Sequence, residues 1–192
     1  MKNICIYCGS STGAAPEYAQ IARRMGHILA DRGLGVVYGG GRVGLMGIVA
    51  DAALERGGRV IGVIPEGLAT EEVAHNGLTE LHVVADMHQR KALMARRADA
   101  FLTMPGGIGT FEEFFETLSW ATLKLHHKPL GILNTAGYFD PMLAMLDHAV
   151  AEGFLKPRHL GLLVTSDDPD ALIEAMLERM PADGEEPRID FG

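Results

Sequence analysis

Asp99-Ala100-Phe101-Leu102-Thr103-Met104-Pro105-Gly106-Gly107-Ile108-Gly109-Thr110-Phe111-Glu112-Glu113 passes from a short apolar run through a glycine-rich loop into a helical pattern. Residues 99–103, closed by a proline and glycines, read as a buried strand, and the apolar spacing from 111 to about 125 reads as a helix. The same unit recurs in both directions. Strands are expected near 3–8, 35–38, 59–64, 79–84, 99–103, 129–133 and 161–165, and helices near 16–32, 44–57, 87–97, 111–125, 139–152 and 168–180. This alternation predicts an α/β fold, a single Rossmann-like domain with a mostly parallel seven-stranded sheet and helices on both faces. Pro16 suits a first helical turn, Asp86 can cap the helix carrying Arg90, and Asp168-Pro169 opens the last helix. One domain is expected over residues 1–180, with 181–192 as a loosely held polar tail.

The chain has 192 residues, enough to bury a two-sided sheet without disulfides or metals. Its net charge of −8 and pI near 5.4 oppose binding to nucleic acid, which depends on clustered Lys and Arg. No apolar run approaches the roughly 20 residues that cross a bilayer, and no leader pattern opens the chain, so no membrane partner and a cytoplasmic location are expected. Cys5 and Cys8 form a C-x-x-C within a strand-like run. At that spacing the two side chains point to opposite faces, which favours buried small hydrophobes over a redox pair.

In such a sheet, ligands sit beyond the carboxyl ends of the strands. Three strand-to-helix loops there are rich in small residues: Gly9-Ser10-Ser11-Thr12-Gly13, Gly39-Gly40-Gly41-Arg42-Val43-Gly44 and Pro105 to Thr110. Glycines let backbone approach a ligand, and the amides of a following helix N-terminus favour phosphate, so the three together suggest a nucleotide or sugar-phosphate pocket. Gly39, Gly41 and Gly44 also match G-x-G-x-x-G, which keeps an NAD-binding oxidoreductase as an alternative. That fingerprint normally follows the first strand, and the acid about 20 residues on would be Glu66, past the next strand end. No glycine stretch ends in the Lys-Ser or Lys-Thr of a P-loop.

The fifth-strand loop adds chemistry. Thr110 and Glu113 have the spacing of a capping box, yet that does not account for the three glycines and proline before them. A carboxylate beside a phosphate loop can instead contact a ribose or activate water. Glu112 and Glu116 on the same helix are second-line candidates. Arg90 and Lys91, near the start of the preceding helix, could bind an anionic phosphate or hold a carboxylate in place. His88 lacks a spaced partner, and the adjacent His126-His127 cannot both face one metal, so neither a metal nor another cofactor is expected.

Pro105 to Glu113 resembles the PGGxGTxxE motif of the Lonely Guy family, cytokinin riboside 5′-monophosphate phosphoribohydrolases often mislabelled as lysine decarboxylases. Further resemblance lies in Tyr38-Gly39-Gly40-Gly41 with Gly44-Leu45-Met46-Gly47, Met87 to Lys91, Ala98-Asp99-Ala100-Phe101, Lys128-Pro129-Leu130-Gly131 and Glu152-Gly153-Phe154, and it runs from about residue 3 to 165. The resemblance implies hydrolysis of the N-glycosidic bond of a purine nucleoside 5′-monophosphate, of cytokinin type or AMP, with Arg90 and Glu113 as the catalytic pair. It makes Lys91 and Gly106, Gly107, Ile108, Gly109 and Thr110 nucleotide-binding, and Ser10, Gly40, Gly41, Met87 and Glu112 complete the expected substrate-binding set. Lys2, Lys91, Lys124, Lys128 and Lys156 lack the context of a Schiff-base lysine, so the decarboxylase label finds no support.

The competing class is a non-catalytic nucleotide or molybdenum-cofactor carrier of the same fold, and retention of both Arg90 and Glu113 favours the enzyme. The small-molecule nucleotide is the expected partner, together with a second copy of the chain. Met87, Leu93 and Met94 on one helix, with Phe111, Phe114, Phe115, Leu118, Trp120 and Leu123 on the next, exceed one sheet-facing stripe, and the resemblance also implies a homodimer.

Overall fold

The computed structural model describes residues 1–70 and 73–181; of the expected tail, residues 182–192 lie outside them. The strands are β1 (Asn3–Tyr7), β2 (Gly35–Tyr38), β3 (Val60–Pro65), β4 (Glu80–Val84), β5 (Ala100–Thr103), β6 (Leu130–Leu133) and β7 (Leu163–Ser166). The helices are α1 (Pro16–Asp31), α2 (Gly44–Glu55), α3 (Met87–Arg97), α4 (Ile108–Thr122), α5 (Asp140–Ala151), the single turn α6 (Pro157–Leu160) and α7 (Pro169–Glu178). All seven strands are parallel in one sheet of order β4-β3-β2-β1-β5-β6-β7.

The period of two along each strand divides the core. Ile4, Ile6, Val36, Tyr38 and Leu102 meet Met25 and Leu29 of α1, Leu45 and Val49 of α2, and Ile173 and Met176 of α7 on one face. Val37, Ile61, Phe101 and Ile132 meet Met94 of α3, Phe114 and Leu118 of α4, and Leu146 of α5 on the other. Cys5 and Cys8 fall in different clusters, both unpaired, and burial holds both thiols well above the usual thiol range, so neither ionises near neutrality.

The chain builds outward from β1 to the β4 edge, then returns to place β5 on the other flank of β1. After β1 it turns into α1 on one face, and after β5 into α4 on the opposite face. The two connections diverge and open a crevice at the carboxyl ends of β1 and β5, the switch point where such sheets take ligands.

Three helix starts follow the sequence reading. Pro16 is the first residue of α1, the Asp86 carboxylate accepts from the Gln89 amide at 2.8 Å, and that of Asp168 accepts from the Ala171 amide at 2.8 Å. The capping box does not form. Helix α4 begins at Ile108 rather than 111, its N-cap is Gly107, and Thr110 already lies in its first turn. An extended glycine at 107 lets the helix start inside the loop, so the loop's last residues are helical. Residues 157–160 form the extra turn α6, which delays β7 to Leu163.

Candidate active site

The three glycine loops meet backbone to backbone. The Gly9 amide donates to the Pro105 carbonyl at 3.0 Å, and the Met46 amide donates to the Gly9 carbonyl at 3.3 Å. A Cβ on Gly9 would lie 3.2 Å from the Gly106 Cα. One on Gly44, whose φ is +62°, would lie 2.2 Å from the Ser10 carbonyl carbon, so bulk at this junction would separate the second loop from the first. Ser10, Gly107, Ile108 and Gly109 are exposed around it. The first amide of α4 with a helical acceptor is that of Phe111, to the Gly107 carbonyl at 3.0 Å. Helix geometry therefore leaves the amides of Ile108, Gly109 and Thr110 without intrahelical partners, at the positive end of the helix dipole.

Gly40 and Gly41 are buried under the segment after β3. The His75 amide donates to the Gly40 carbonyl and the Arg42 amide to the Val73 carbonyl, each at 2.9 Å, and Gly41 bridges to Ala74. The His75 ring anchors this strap, with Nε2 2.9 Å from an Asp51 carboxylate oxygen and Nδ1 accepting the Gly77 amide at 3.1 Å. Gly39 is the member of the second loop that reaches the charged residues: a Cβ there would stand 1.9 Å from Arg90 Nη2. The G-x-G-x-x-G match thus follows β2 rather than the first strand, and its glycines serve the strap, Arg90 and Ser10.

Arg90 and Glu113 come together although they lie on different helices. Arg90 Nε donates to the Val63 carbonyl at 3.2 Å, Nη1 lies 3.6 Å from Met87 Sδ, and Nη2 lies 3.7 Å from Glu113 Oε1. Both side chains are largely buried, at 13% and 10% exposure. A separation of 3.7 Å is a charge contact rather than a direct hydrogen bond, so Arg90 does not saturate the carboxylate. Burial pushes the Glu113 carboxyl up to about 7; Arg90 and Lys91 pull it down, and Glu112 and Glu116 push it up. A carboxyl displaced by burial beside a specific cation in a cleft marks a functional-site candidate.

The other expected residues divide. Met87 stands 40% exposed at the first turn of α3, beside Arg90. Lys91 is committed to carboxylates of α4, with Nζ 2.5 Å from Glu112 Oε1 and 2.9 Å from Glu116 Oε1. Burial lowers its pKa, but the two carboxylates outweigh this and raise it. Lys91, Glu112 and Glu116 thus clamp α3 to α4 around the charge pair.

Sequence reasoning missed Tyr138, which holds this site, and the packing role of His126 at the far end of α4. Tyr138, after β6, donates its hydroxyl to the Gly106 carbonyl at 2.5 Å; no motif signals it. His126 is buried beside Phe101, and burial lowers its pKa to about 4, partly offset by the bond to the Thr117 carbonyl. Its Nδ1 accepts the Lys128 amide at 3.1 Å, which leaves Nε2 to donate to that carbonyl at 3.0 Å. This neutral tautomer ties down the end of α4 and has no place in a metal site. Among the described residues, no three His, Cys, Asp or Glu are grouped to hold a metal, and no helix is long and apolar enough to cross a membrane.

The apolar excess on α3 and α4 is smaller than their sequences suggest. Met94, Phe114 and Leu118 are internal, and Leu93, Phe111, Phe115 and Trp120 pack partly buried against the same core. Met87 and Leu123, at 40% and 66% exposure, remain outside. Helices on a sheet of this width bury more than one stripe, because neighbouring helices also pack on each other.

Fold and site together define an all-parallel Rossmann-like α/β protein with a buried carboxyl and guanidinium beside glycine loops at its switch point. The chain belongs to the family of cytokinin riboside 5′-monophosphate phosphoribohydrolases. It is 51% identical over 176 residues to the phosphoribohydrolase of that name from Rhodococcoides fascians, covering 91% of this chain and 89% of the relative. It is 46% identical over 180 residues to one from Arabidopsis thaliana, covering 94% and 83%. The family model described as "Possible lysine decarboxylase" matches residues 46–176. The molybdenum cofactor binding protein from Rippkaea orientalis superposes with a TM-score of 0.70 over 93% of this chain and 97% of its own, at 20% identity, a likeness of fold alone.

Proposed function

We propose that this chain hydrolyses the N-glycosidic bond of a purine nucleoside 5′-monophosphate, AMP or a cytokinin-type nucleotide, to free base and ribose 5-phosphate. The observation that carries this reading is Glu113, buried 3.7 Å from Arg90 beside the amide-rich start of α4, in a chain 51% identical to a named phosphoribohydrolase. Molybdenum-cofactor carriers share the fold at much lower identity, and fold alone does not carry function.

The amides from Gly106 to Thr110, with Ser10 at their rim, take the 5′-phosphate, and the anomeric carbon then lies toward Glu113. Breaking the ribosyl–purine bond develops positive charge on the sugar, which a nearby carboxylate stabilises. Ionised Glu113 accepts a proton from the attacking water as the water oxygen bonds to the anomeric carbon. The bond electrons leave with the purine nitrogen, which is protonated from solvent. Arg90 cannot be that acid, because a guanidinium keeps its proton throughout the working range; it holds Glu113 in place and favours its ionised form. Met87 borders the base, Gly40 and Gly41 shape the wall through Gly39 and the strap, and Lys91 with Glu112 fixes α3 against α4. The acidic chain has no use for a nucleic acid partner, and the reaction belongs in the cytoplasm.

Incubation with AMP and with isopentenyladenosine monophosphate is expected to release free base and ribose 5-phosphate; release of neither would sink the assignment. If ionised Glu113 is the base, kcat/KM rises with pH, tenfold per pH unit, until it levels near pH 7. A kcat/KM constant between about pH 5 and 8 would exclude that role.

The outer faces of α3 and α4, with Met87 and Leu123 exposed, are the proposed contact of a twofold homodimer. Light scattering is expected to give twice the 20.7 kDa chain mass. A monomer mass that persists as concentration rises refutes the dimer.

A further inference from the structure

Three consecutive carbonyls of the phosphate loop are held by three different elements. The Pro105 carbonyl accepts from the Gly9 amide at 3.0 Å and the Gly107 carbonyl from the Phe111 amide at 3.0 Å. Between them, the Gly106 carbonyl accepts from the Tyr138 hydroxyl at 2.5 Å. In a planar trans peptide, the amide of the next residue points opposite to the carbonyl. Fixing these carbonyls therefore fixes the Gly106, Gly107 and Ile108 amides in the opposite sense. Two of the three anchors are backbone; the middle peptide depends on one side chain. Glycines on both sides of it leave that peptide free to turn over without the anchor.

The structure around Tyr138 is built to deliver its hydroxyl. Ala136 adopts a left-handed φ of +52°, which a residue with a Cβ disfavours, and Gly137 follows at +69°. Asn134 secures this turn, its Oδ1 accepting the Phe139 amide and its Nδ2 donating to Asp140, both at 2.7 Å. The Tyr138 ring lies parallel to Phe111 of α4, 4° between planes, and edge-on to Tyr18 of α1. Its position is thus referenced to both helices that flank the crevice.

We infer that Tyr138 is a positioning residue for the substrate phosphate, pinning the Gly106–Gly107 peptide so that the Gly107 amide faces the anion. The inference rests on the proposed function and deepens it. Tyr138 acts on the phosphate through the loop, without touching the reacting atoms.

Tyr138→Phe removes the hydroxyl and keeps the ring packing. With AMP as substrate, KM is expected to rise and kcat/KM to fall about tenfold, the scale of one lost charge-assisted hydrogen bond. Inhibition by ribose 5-phosphate and by inorganic phosphate should weaken in the same proportion, and inhibition by adenine should be unchanged. A purely structural role would shift adenine and phosphate binding alike. That result, or an unchanged KM for AMP, overturns the inference while leaving the proposed function standing. Wild-type protein that neither cleaves AMP nor binds ribose 5-phosphate overturns both. Should circular dichroism show Y138F misfolded, Phe111→Leu removes the ring beside Tyr138 and leaves the hydroxyl. It is expected to give a smaller loss confined to phosphate ligands, and an unchanged KM there overturns the inference equally.

Discussion

Glu113→Gln is expected to fold normally and lose about 10²–10⁴-fold in kcat, the range that a positioned acid–base group contributes. Gln keeps the shape and hydrogen-bonding reach of the side chain but can neither ionise nor accept the proton of water. Arg90→Ala should lose activity on a similar scale by another route. It removes the cation 3.7 Å from the carboxylate, so the Glu113 pKa, already up to about 7 through burial, rises further. The two variants separate in their pH profiles: R90A should move the acid limb to higher pH, and E113Q should abolish it. Near-normal kcat in either variant, with normal circular dichroism, removes that residue from the mechanism.

The same carboxyl links activity to stability. Its folded pKa, about 7, lies above the ordinary 4.5, so the folded state binds this proton more tightly than the unfolded state does. The wild type therefore has this contribution in full below about pH 4.5 and loses it as pH rises to about 7. Gln carries no such dependence. Between pH 4 and 8 the stability difference should move in favour of E113Q by roughly 3 kcal/mol, because each pH unit separating the folded from the unfolded pKa is worth about 1.4 kcal/mol. Denaturant unfolding at the two pH values measures it, and any change in Arg90 packing adds equally at both. An unchanged difference would mean that Glu113 ionises as an exposed carboxylate does.

The fold is legible because β1, β2 and β5 are buried on both faces and read as nearly continuous apolar runs, while turns between them carry glycine and proline. Asp86 and Asp168 announced their helices because a cap is a local interaction over three residues. Helix α4 starts earlier than the spacing predicts for the complementary reason: Thr110 and Glu113 have capping spacing, but Gly107 permits an earlier cap. Arg90 and Glu113 stood out through the family motifs. Their distance, and the part of Gly39 in making room for the guanidinium, depend on contacts between segments far apart in sequence. Tyr138 is the extreme case, since a tyrosine after β6 looks the same in sequence whether or not its hydroxyl meets a loop 32 positions away.

Adenosine is expected to be cleaved at least about 10³-fold less efficiently than AMP in kcat/KM, because the phosphate's binding energy is what brings the anomeric carbon to Glu113. The chain carries a net charge of −8, so an anionic substrate gains nothing from long-range attraction. Its recognition has to come from donors at the site. The amides of Ile108, Gly109 and Thr110 lack acceptors within α4, and the positive end of this 15-residue helix adds about half a unit charge at the same place. These groups sit on backbone held by Gly9, Tyr138 and Phe111, so little ordering remains to be done when the phosphate arrives. Removing the phosphate should therefore lower kcat as well as raise KM, since the sugar loses the anchor that sets its approach to the carboxylate. A loss confined to KM would show the loop acting as a uniform binding handle. Equal kcat/KM for adenosine and AMP would remove the phosphate cradle and return the glycine loops to the role of close-packed turns.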